Sequence, residues 1–503
     1  MRVLEAVLVV TDLLIFLALV ILIPRTLRVL RQAAPAAPAA AVAQALLEGP
    51  RWQVIPAYAL AAAITVVWLL GVLAPARRPV RLLRLRRFAT AVTVVLAAMG
   101  LAVSTALAIL LPVFSFAPPT GPHRIGTVTY HWTDGGRPDV LAADPRARRE
   151  LMVQIWYPVA GAPSAPRAAY VQDEDVLVAM ARLARVPDFT FGHLRHVTTN
   201  AVTSAPVAAQ HSRYPVLIFL EGAMGFRQIN TFQVEHLVSH GYVVAAVDHP
   251  HTAASVRFPD GHRIAALPAA RLRALIDRSL DPAGERAGER ADQTPAPGGR
   301  SLGGGLVPHL ARDVTFTLDR LTALDRADPA GLLTGRLDLR RIGAFGVSLG
   351  GIVTGEACRT EPRLRACLMM DTRMTPAVVR QGLDRPSMWI TRDAATMRRE
   401  GWSADDIDQH QSSMRAVFDK RPADGYLVRV PGMFHADFTD VSSWSPALSR
   451  FGITGSVPAQ RAHTILNAYT LAFFDRHLKN LPTPLLDGPA PDYPDVLLKT
   501  RQP

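Results

Sequence analysis

Three stretches of almost unbroken apolar residues open the chain, at 5–23, 52–74 and 90–112. Each has about the 20 residues that a helix needs to cross the hydrocarbon core of a bilayer. One such run would also suit a buried core helix. Three in succession, before any other pattern begins, predict a membrane anchor with three transmembrane helices over residues 1–116. The first is read as an uncleaved span, because Arg25, Arg28 and Arg31 follow it where a signal peptide would carry its cleavage site. The Ala/Pro-rich tract at 33–46 reads as a flexible connection.

From about Phe116 the period changes, and 117–503 reads as one globular domain. Strand signals at Gly126–Trp132 and Glu150–Tyr157, with a turn at Gly135-Gly136 between them, suit an antiparallel start. A mixed helical segment follows at 172–195. Val216–Leu220 and Tyr242–Val247 are short, fully apolar strands with an amphipathic helix between them, Thr231–His240. That is a βαβ unit, and it makes the sheet parallel. Residues 252–310 interrupt the alternation. They hold a hairpin-like Phe258-Pro259-Asp260-Gly261, a helical stretch at 270–279 and a Gly/Pro-rich tract, Pro282–Gly305, read as a lid-like insertion. Helix Ala311–Leu324, then strands at Ile342–Phe345, Leu364–Met370, Pro386–Thr391 and Tyr426–Val430, and a closing helix at Ala462–Lys479 complete an α/β pattern.

Composition changes this picture little. The formal charge is +13, charged residues are 19% and hydrophobic residues 49% of the chain. Lys420, Lys479 and Lys499 are the only lysines, so the basic charge is arginine, much of it flanking the apolar runs. This fits an arginine-biased membrane protein, and no nucleic-acid-binding motif accompanies it. Arg77, Arg78, Arg81, Arg84, Arg86 and Arg87 lie between the second and third runs; Arg25, Arg28, Arg31 and Arg51 lie between the first and second. The denser cluster is expected in the cytoplasm. With three spans, the first residues would also be cytoplasmic, and everything after Pro112 would lie outside a bacterial-type inner membrane. Cys358 and Cys367 are expected as two buried thiols, with a disulfide as the alternative outside the cytoplasm. No His/Cys/Asp/Glu spacing suggests a metal, and no cofactor motif occurs.

The chemistry gathers at strand ends. Gly346-Val347-Ser348-Leu349-Gly350 has the G-x-S-x-G form of a nucleophile elbow, in which Gly346 and Gly350 are small so that strand and helix can meet at a tight turn. Ser348 follows one strand, Asp371 the next and His435 a later one. In an open α/β sheet the carboxyl ends of the strands carry the site. The order Ser, Asp, His is that of α/β-hydrolases. Asp393, one strand later than Asp371, is the competing acid. Leu220-Glu221-Gly222-Ala223 ends a central strand, and the amides of Ala223 and Leu349 would form a two-donor oxyanion hole. Glu221 reads as a supporting or plain loop carboxylate. His249 and His251 are assigned no catalysis.

The run from Tyr214 to Phe219, Gly222-Ala223-Met224-Gly225-Phe226-Arg227 and Leu237 to His249 resembles the plasma and type II platelet-activating-factor acetylhydrolases. So do the elbow, Asp371, Gly432-Met433-Phe434-His435-Ala436-Asp437-Phe438 and the helix end at Ala472-Phe473-Phe474-Asp475-Arg476-His477-Leu478. The resemblance covers about 125–480, and related bacterial dienelactone-hydrolase-like and polyester-hydrolase-like esterases share much of it. It implies an α/β-hydrolase fold with Ser348 as nucleophile, His435 as base, Asp371 as orienting acid and Ala223 with Leu349 as oxyanion donors. It implies a serine esterase acting on lipid-like or short-acyl esters, such as phospholipids, with no cofactor. Two positions depart from the family: Glu221 and Val347 each stand where it usually has histidine. The alternative is an inactive, membrane-tethered hydrolase-fold binding or signalling protein. The residues say nothing of oligomeric state.

Overall fold

The side chains of the central strands point alternately to two helical layers, and this builds the fold. The computed structural model describes residues 1–20, 32–73, 83–161, 165–281, 302, 304–420 and 423–501. The chain divides into two units, one of Met1–Phe114 with Val186–Val197 and Trp444–Ala447, the other of Ser115–Arg185, Thr198–Ser443 and Leu448–Pro503.

The first unit contains helices α1 (Val3–Val20), α2 (Ala36–Leu47), α3 (Ile55–Leu73) and α4 (Leu83–Leu110). Two helical stretches among the described residues, Trp52–Leu70 and Ala91–Leu110, are long and apolar enough to cross a membrane. The first predicted span is helical over Val3–Val20, and its residues 21–23 lie outside the described residues. So do Arg25, Arg28, Arg31, Arg77, Arg78 and Arg81. The tract at 33–46, expected to be flexible, is instead helical from Ala36. Alanine is the strongest helix former, and Pro38 falls in the first turn, where its missing N–H has no intrahelical partner to lose.

The helices pair as antiparallel hairpins that begin and end together. At their shared end the buried Arg51 pairs with the buried Glu5 at 2.8 Å and donates to the carbonyl of Leu111. Arg2 pairs with Glu5 at 2.9 Å and with Glu48 at 3.5 Å. The start of α3 meets the last turns of α4, where the amide of Ala57 donates to Ser104 Oγ at 3.2 Å. The same end gathers aromatic rings: Trp52 stands edge-on to Phe189 at 5.0 Å, and Phe191 to Trp444 at 5.5 Å.

The second unit is built on an eleven-stranded sheet in the order β13-β12-β11-β10-β9-β5-β6-β2-β1-β4-β3. Its strands are β1 (Arg124–Pro138), β2 (Arg148–Val159), β3 (Arg167–Ala169), β4 (Thr198–Thr203), β5 (Tyr214–Leu220), β6 (Val243–Asp248), β9 (Leu337–Val347), β10 (Leu364–Met370), β11 (Ser387–Thr391), β12 (Gly425–Arg429) and β13 (Leu497–Arg501). The pairs from β6 through β5, β9, β10 and β11 to β12 are parallel. β1 and β2 are antiparallel, as expected. Gly135 and Gly136, predicted as the turn between them, lie within β1.

Helices α5 (Thr231–Ser239), α6 (Leu306–Arg326), α7 (Leu349–Thr360), α8 (Ala404–Lys420) and α9 (Ala459–Lys479) accompany the sheet. Val216, Ile218 and Leu220 of β5 share a core with Leu310, Val314 and Leu318 of α6. The alternate residue Phe219 meets Phe345 of β9 at 5.1 Å, and Phe345 meets Phe474 of α9 at 6.0 Å. Successive β positions point to opposite faces, so a wholly apolar strand is one covered on both sides. This is a mixed, mostly parallel sheet with helices on both faces, as an α/β-hydrolase fold requires.

The 252–310 insertion starts with the hairpin β7 (Ser255–Arg257) and β8 (Arg263–Ala265), turning through Phe258–His262, followed by a helix at Ala269–Leu280. Residues 282–301 and 303 of the expected lid lie outside the described residues.

The cysteines are not two free thiols. The connection from α7 to β10 folds the chain back on itself and joins Cys358 to Cys367, nine positions apart in sequence, with the Cα atoms 6.3 Å apart. A loop of that size is worth about 2–3 kcal/mol by restriction of the unfolded chain. Cys358→Ser should therefore lower unfolding free energy by about that amount. Dithiothreitol should bring the parent protein to the same stability. Ready alkylation of either thiol in unreduced, denatured protein would show that the bond is absent.

Candidate active site

Ser348 sits between β9 and α7 with φ 57° and ψ −122°. A side chain pays steric strain for this left-handed backbone, and such strain collects at functional sites. Neighbouring glycines make the turn feasible. A Cβ on Gly350 would lie 2.0 Å from the carbonyl oxygen of Leu220, and one on Gly346 would lie 2.5 Å from the Gly350 carbonyl. The amide of Ser348 donates to Met370 at 3.0 Å, and its carbonyl accepts from Thr372 Oγ1 at 2.8 Å. The elbow is thereby fixed to the end of β10, next to Asp371.

Asp371 is buried and also left-handed, with φ 43°. Its Oδ2 lies 2.6 Å from His435 Nδ1. Its Oδ1 accepts from Arg392 Nε at 3.1 Å. Burial opposes the charge of Asp371, but the Arg392 guanidinium, the His435 hydrogen bond and the nearby His410 hold its carboxyl below the ordinary carboxylate range. Arg392 is itself fully buried, paired with Glu400, and lies 4.8 Å above the Trp402 ring. Glu400 also accepts the amide of His435 at 3.0 Å. One carboxylate thus ties the arginine behind Asp371 to the loop that carries the histidine. His410, 3.7 Å from Asp371, is buried, and burial pushes its imidazole down to about 4.

His435 follows β12 and is about a third exposed, at 36%. A ring nitrogen 2.6 Å from an ionised carboxylate carries the proton, which leaves Nε2 as the basic nitrogen. Asp393, the competing acid, is spent elsewhere. It caps the helix Ala394–Arg399, accepting from the amide of Thr396 at 2.9 Å and from the Thr396 hydroxyl.

The predicted oxyanion loop adjoins the elbow. A Cβ on Gly222 would lie 3.2 Å from Cβ of Ser348. The amides of Met224 and Gly225 are taken by Thr252 at 2.7 Å and by Gly222 at 2.9 Å. Those of Ala223 and Leu349 find no acceptor among the described residues. Glu221, buried beneath this turn, contacts His249 Nδ1 at 3.0 Å.

Sequence reasoning missed Arg392, Glu400, His410 and the Glu221–His249 pair. Their partners lie far along the chain, so no local spacing points to them. A cavity of about 1030 Å³ opens beside the loop after Asp371, lined by Arg273, Arg373, Met374, Val379, Asp406 and Ser413 among others. Neither Ser348 nor His435 lines it. No three His, Cys, Asp or Glu side chains group as metal ligands among the described residues.

The fold is of the α/β-hydrolase class, and the comparisons agree. Residues 114–266 match the model for platelet-activating factor acetylhydrolase, isoform II. The platelet-activating factor acetylhydrolase of Canis lupus familiaris is 22% identical over 300 residues, covering 59% of this chain and 63% of the relative. That of Gallus gallus is 22% identical over 282 residues, covering 53% of this chain and 62% of the relative. The chain thus spans less than two thirds of the length of these curated relatives. The solved structure of a ferulic acid esterase from Streptomyces cinnamoneus superposes with a TM-score of 0.57 at 30% identity, covering 77% of this chain and 99% of that one. The chain belongs to the platelet-activating-factor-acetylhydrolase-like α/β esterases.

The depressed Asp371 has a consequence for pH. Its carboxyl stays ionised well below its ordinary range, so Asp371 should add no proton to the acid limb of kcat/KM, which should have unit slope. Arg392→Met removes the guanidinium and should move Asp371 up, adding a second proton and steepening that limb. An unchanged limb in Arg392→Met would show that the arginine does not set the charge on Asp371.

Proposed function

We propose that the protein is a membrane-anchored serine esterase that works through Ser348, His435 and Asp371 by way of an acyl-enzyme. The observation that carries this reading is the 2.6 Å contact between His435 Nδ1 and Asp371, one strand from a left-handed serine at a glycine-flanked elbow. Ser348 Oγ adds to the ester carbonyl as its proton passes to His435 Nε2. Asp371 holds the tautomer and stabilises the imidazolium. The negative carbonyl oxygen rests on the amides of Ala223 and Leu349. Collapse breaks the bond to the alcohol, which leaves with the proton from His435. Water then repeats the sequence on the acyl-enzyme, and the acid is released.

The preferred substrates are lipid-like esters with a short acyl chain. The relatives' name, that of acetylhydrolases, supports the short chain, and an anchored enzyme meets esters dissolved in the bilayer. Ser348→Ala should lower p-nitrophenyl acetate hydrolysis by about 10⁴-fold or more. The parent should favour acetate over palmitate esters. Undiminished hydrolysis by Ser348→Ala would rule out the mechanism.

The helical unit is proposed as the anchor, with α1 and α2 inserted beside α3 and α4. Residues 2–5, 48–51 and 111 meet at one end. Each hairpin therefore returns to the side from which it started, and the count of crossings is even. The arginine-rich connections, 21–31 and 74–87, join the remote helix ends. At the shared end Arg2 and Arg51 are neutralised by Glu5 and Glu48, and aromatic rings gather as they do at membrane interfaces. Arginine bias then places the remote end in the cytoplasm and the hydrolase outside, where a disulfide persists. This departs from the three-span reading in two respects: the number of crossings is even, and the first residues share the extracytoplasmic side with the residues after Leu111. Reporters fused before Arg2 and after residue 120 should both read as extracytoplasmic. A cytoplasmic signal from the first alone would restore an odd number of spans.

A further inference from the structure

The turn predicted to hold the oxyanion rests on a buried carboxylate, and that carboxylate has a single charged partner. Glu221 is the last residue before Gly222 and Ala223, and it is 2% exposed. Its Oε1 accepts the backbone amide of His249 at 2.9 Å, and Oε1 and Oε2 lie 3.1 Å and 3.0 Å from His249 Nδ1. His249 is equally buried. The loop after β6 that carries it is stitched to the turn on both sides of this pair. Met224 donates its amide to Thr252 at 2.7 Å, and Ala254 donates to Gly225 at 2.8 Å. Met224 and His251, one on each strand of this seam, are left-handed, with φ of 58° and 73°. The seam is over-determined, and its strain is held in place by the contacts around it.

Behind His249 lies a second layer of charge. Asp313 of α6 stands 3.9 Å from His249 Nε2. It is clamped by Arg149 of β2, at 2.6 Å and 3.2 Å, and by Arg137 of β1. Arg149 also donates to the carbonyl of Pro250 at 3.2 Å and to Asp139 at 3.4 Å, and Asp139 meets His251 at 3.2 Å. The loop under the oxyanion turn is therefore tied to three elements of the sheet and core.

A lone carboxylate in that position would oppose the reaction. A negative charge forms on the substrate oxygen during acyl transfer, and a buried anion next to the donor turn would repel it in a medium where charges are poorly screened. His249, whose Nδ1 lies 3.1 Å and 3.0 Å from the two carboxylate oxygens, offsets that repulsion when it carries its second proton. Burial opposes its charge, but Glu221 and Asp313 hold its proton more firmly than in water. We infer that Glu221 and His249 act as a paired positioning unit for the oxyanion turn, Glu221 fixing Gly222 and Ala223 against Ser348, and His249 cancelling the charge that this fixing requires. This assigns a role to the position where the chain departs from its family, and it rests on the reading of Ser348 as the nucleophile.

The test is a double-mutant cycle on the full-length protein in detergent micelles, with p-nitrophenyl acetate as substrate. His249→Gln leaves Glu221 charged and unpaired, and kcat should fall by roughly 100-fold with KM changed less than about threefold. Glu221→Gln keeps the side-chain shape but loses the charge, and should cost roughly tenfold in kcat. The double variant, with an amide facing an amide, should recover kcat to about the level of Glu221→Gln, because no bare charge is left. A merely structural pair would lower thermal stability and leave kcat of the folded fraction alone. That outcome, or a double variant as slow as the product of the two single effects, overturns the inference. Should His249→Gln not fold, Glu221→Gln decides: kcat within twofold of the parent overturns it, and a selective loss of kcat supports it. Fluorophosphonate labelling of Ser348 in the parent separates the two levels, since a parent that neither labels nor hydrolyses the ester fails as an esterase, whatever Glu221 does.

Discussion

Everything at the candidate site depends on how closely the backbone of the elbow approaches the end of β5. Gly350 comes so near the carbonyl of Leu220 that a methyl group has no room. Gly222 packs on the β-carbon of Ser348 from the same direction. The left-handed serine stands at this contact, and the amides of Ala223 and Leu349 next to it find no acceptor among the described residues. The rest of the fold serves to hold it. Five parallel pairings from β6 to β12 align the strand ends, and both layers of helices bury the apolar side chains that keep the ends in register.

Charge is arranged around that contact in two buried systems. On one side Arg392 and His435 meet Asp371 while Glu400 ties Arg392 to the His435 backbone, so that the acid keeps its proton off and the histidine keeps one tautomer. On the other side Arg149, Asp313, His249 and Glu221 run from the core to the turn after β5. Buried ion pairs contribute little net stability after desolvation, but removing one partner strands a charge. Their value here is geometric: each fixes a loop that emerges from a strand end. A third buried pair, Glu5 with Arg51, closes the shared end of the helical unit in the same way.

Much of this was legible in the sequence because it is local. G-x-S-x-G, the apolar β strands and the order of Ser348, Asp371 and His435 each follow from short windows. The long apolar runs at 52–74 and 90–112 were also plain. What the sequence concealed depends on chain closure. Nothing near Arg392 says that it meets Asp371, and nothing near Glu221 says that it meets His249. The cysteines looked free because the turn that brings them together is only visible once α7 and β10 pack side by side. The tract at 33–46 was misread for a different reason: its prolines suggest a break, while Pro38 occupies the one part of a helix that tolerates it. Gly135 and Gly136 suggested a turn, but β1 runs through them, as pairing with β2 extends to Pro138.

The central claim is that Ser348 is a nucleophile activated by His435. The most direct measurement is labelling of the folded protein with a fluorophosphonate, followed by peptide mapping of the adduct. The expected result is a single adduct on Ser348, formed rapidly in the parent, greatly slowed in His435→Gln and absent after heat denaturation. Labelling that is absent from the folded parent, or that falls on another serine, or that proceeds equally fast without His435, would contradict the account.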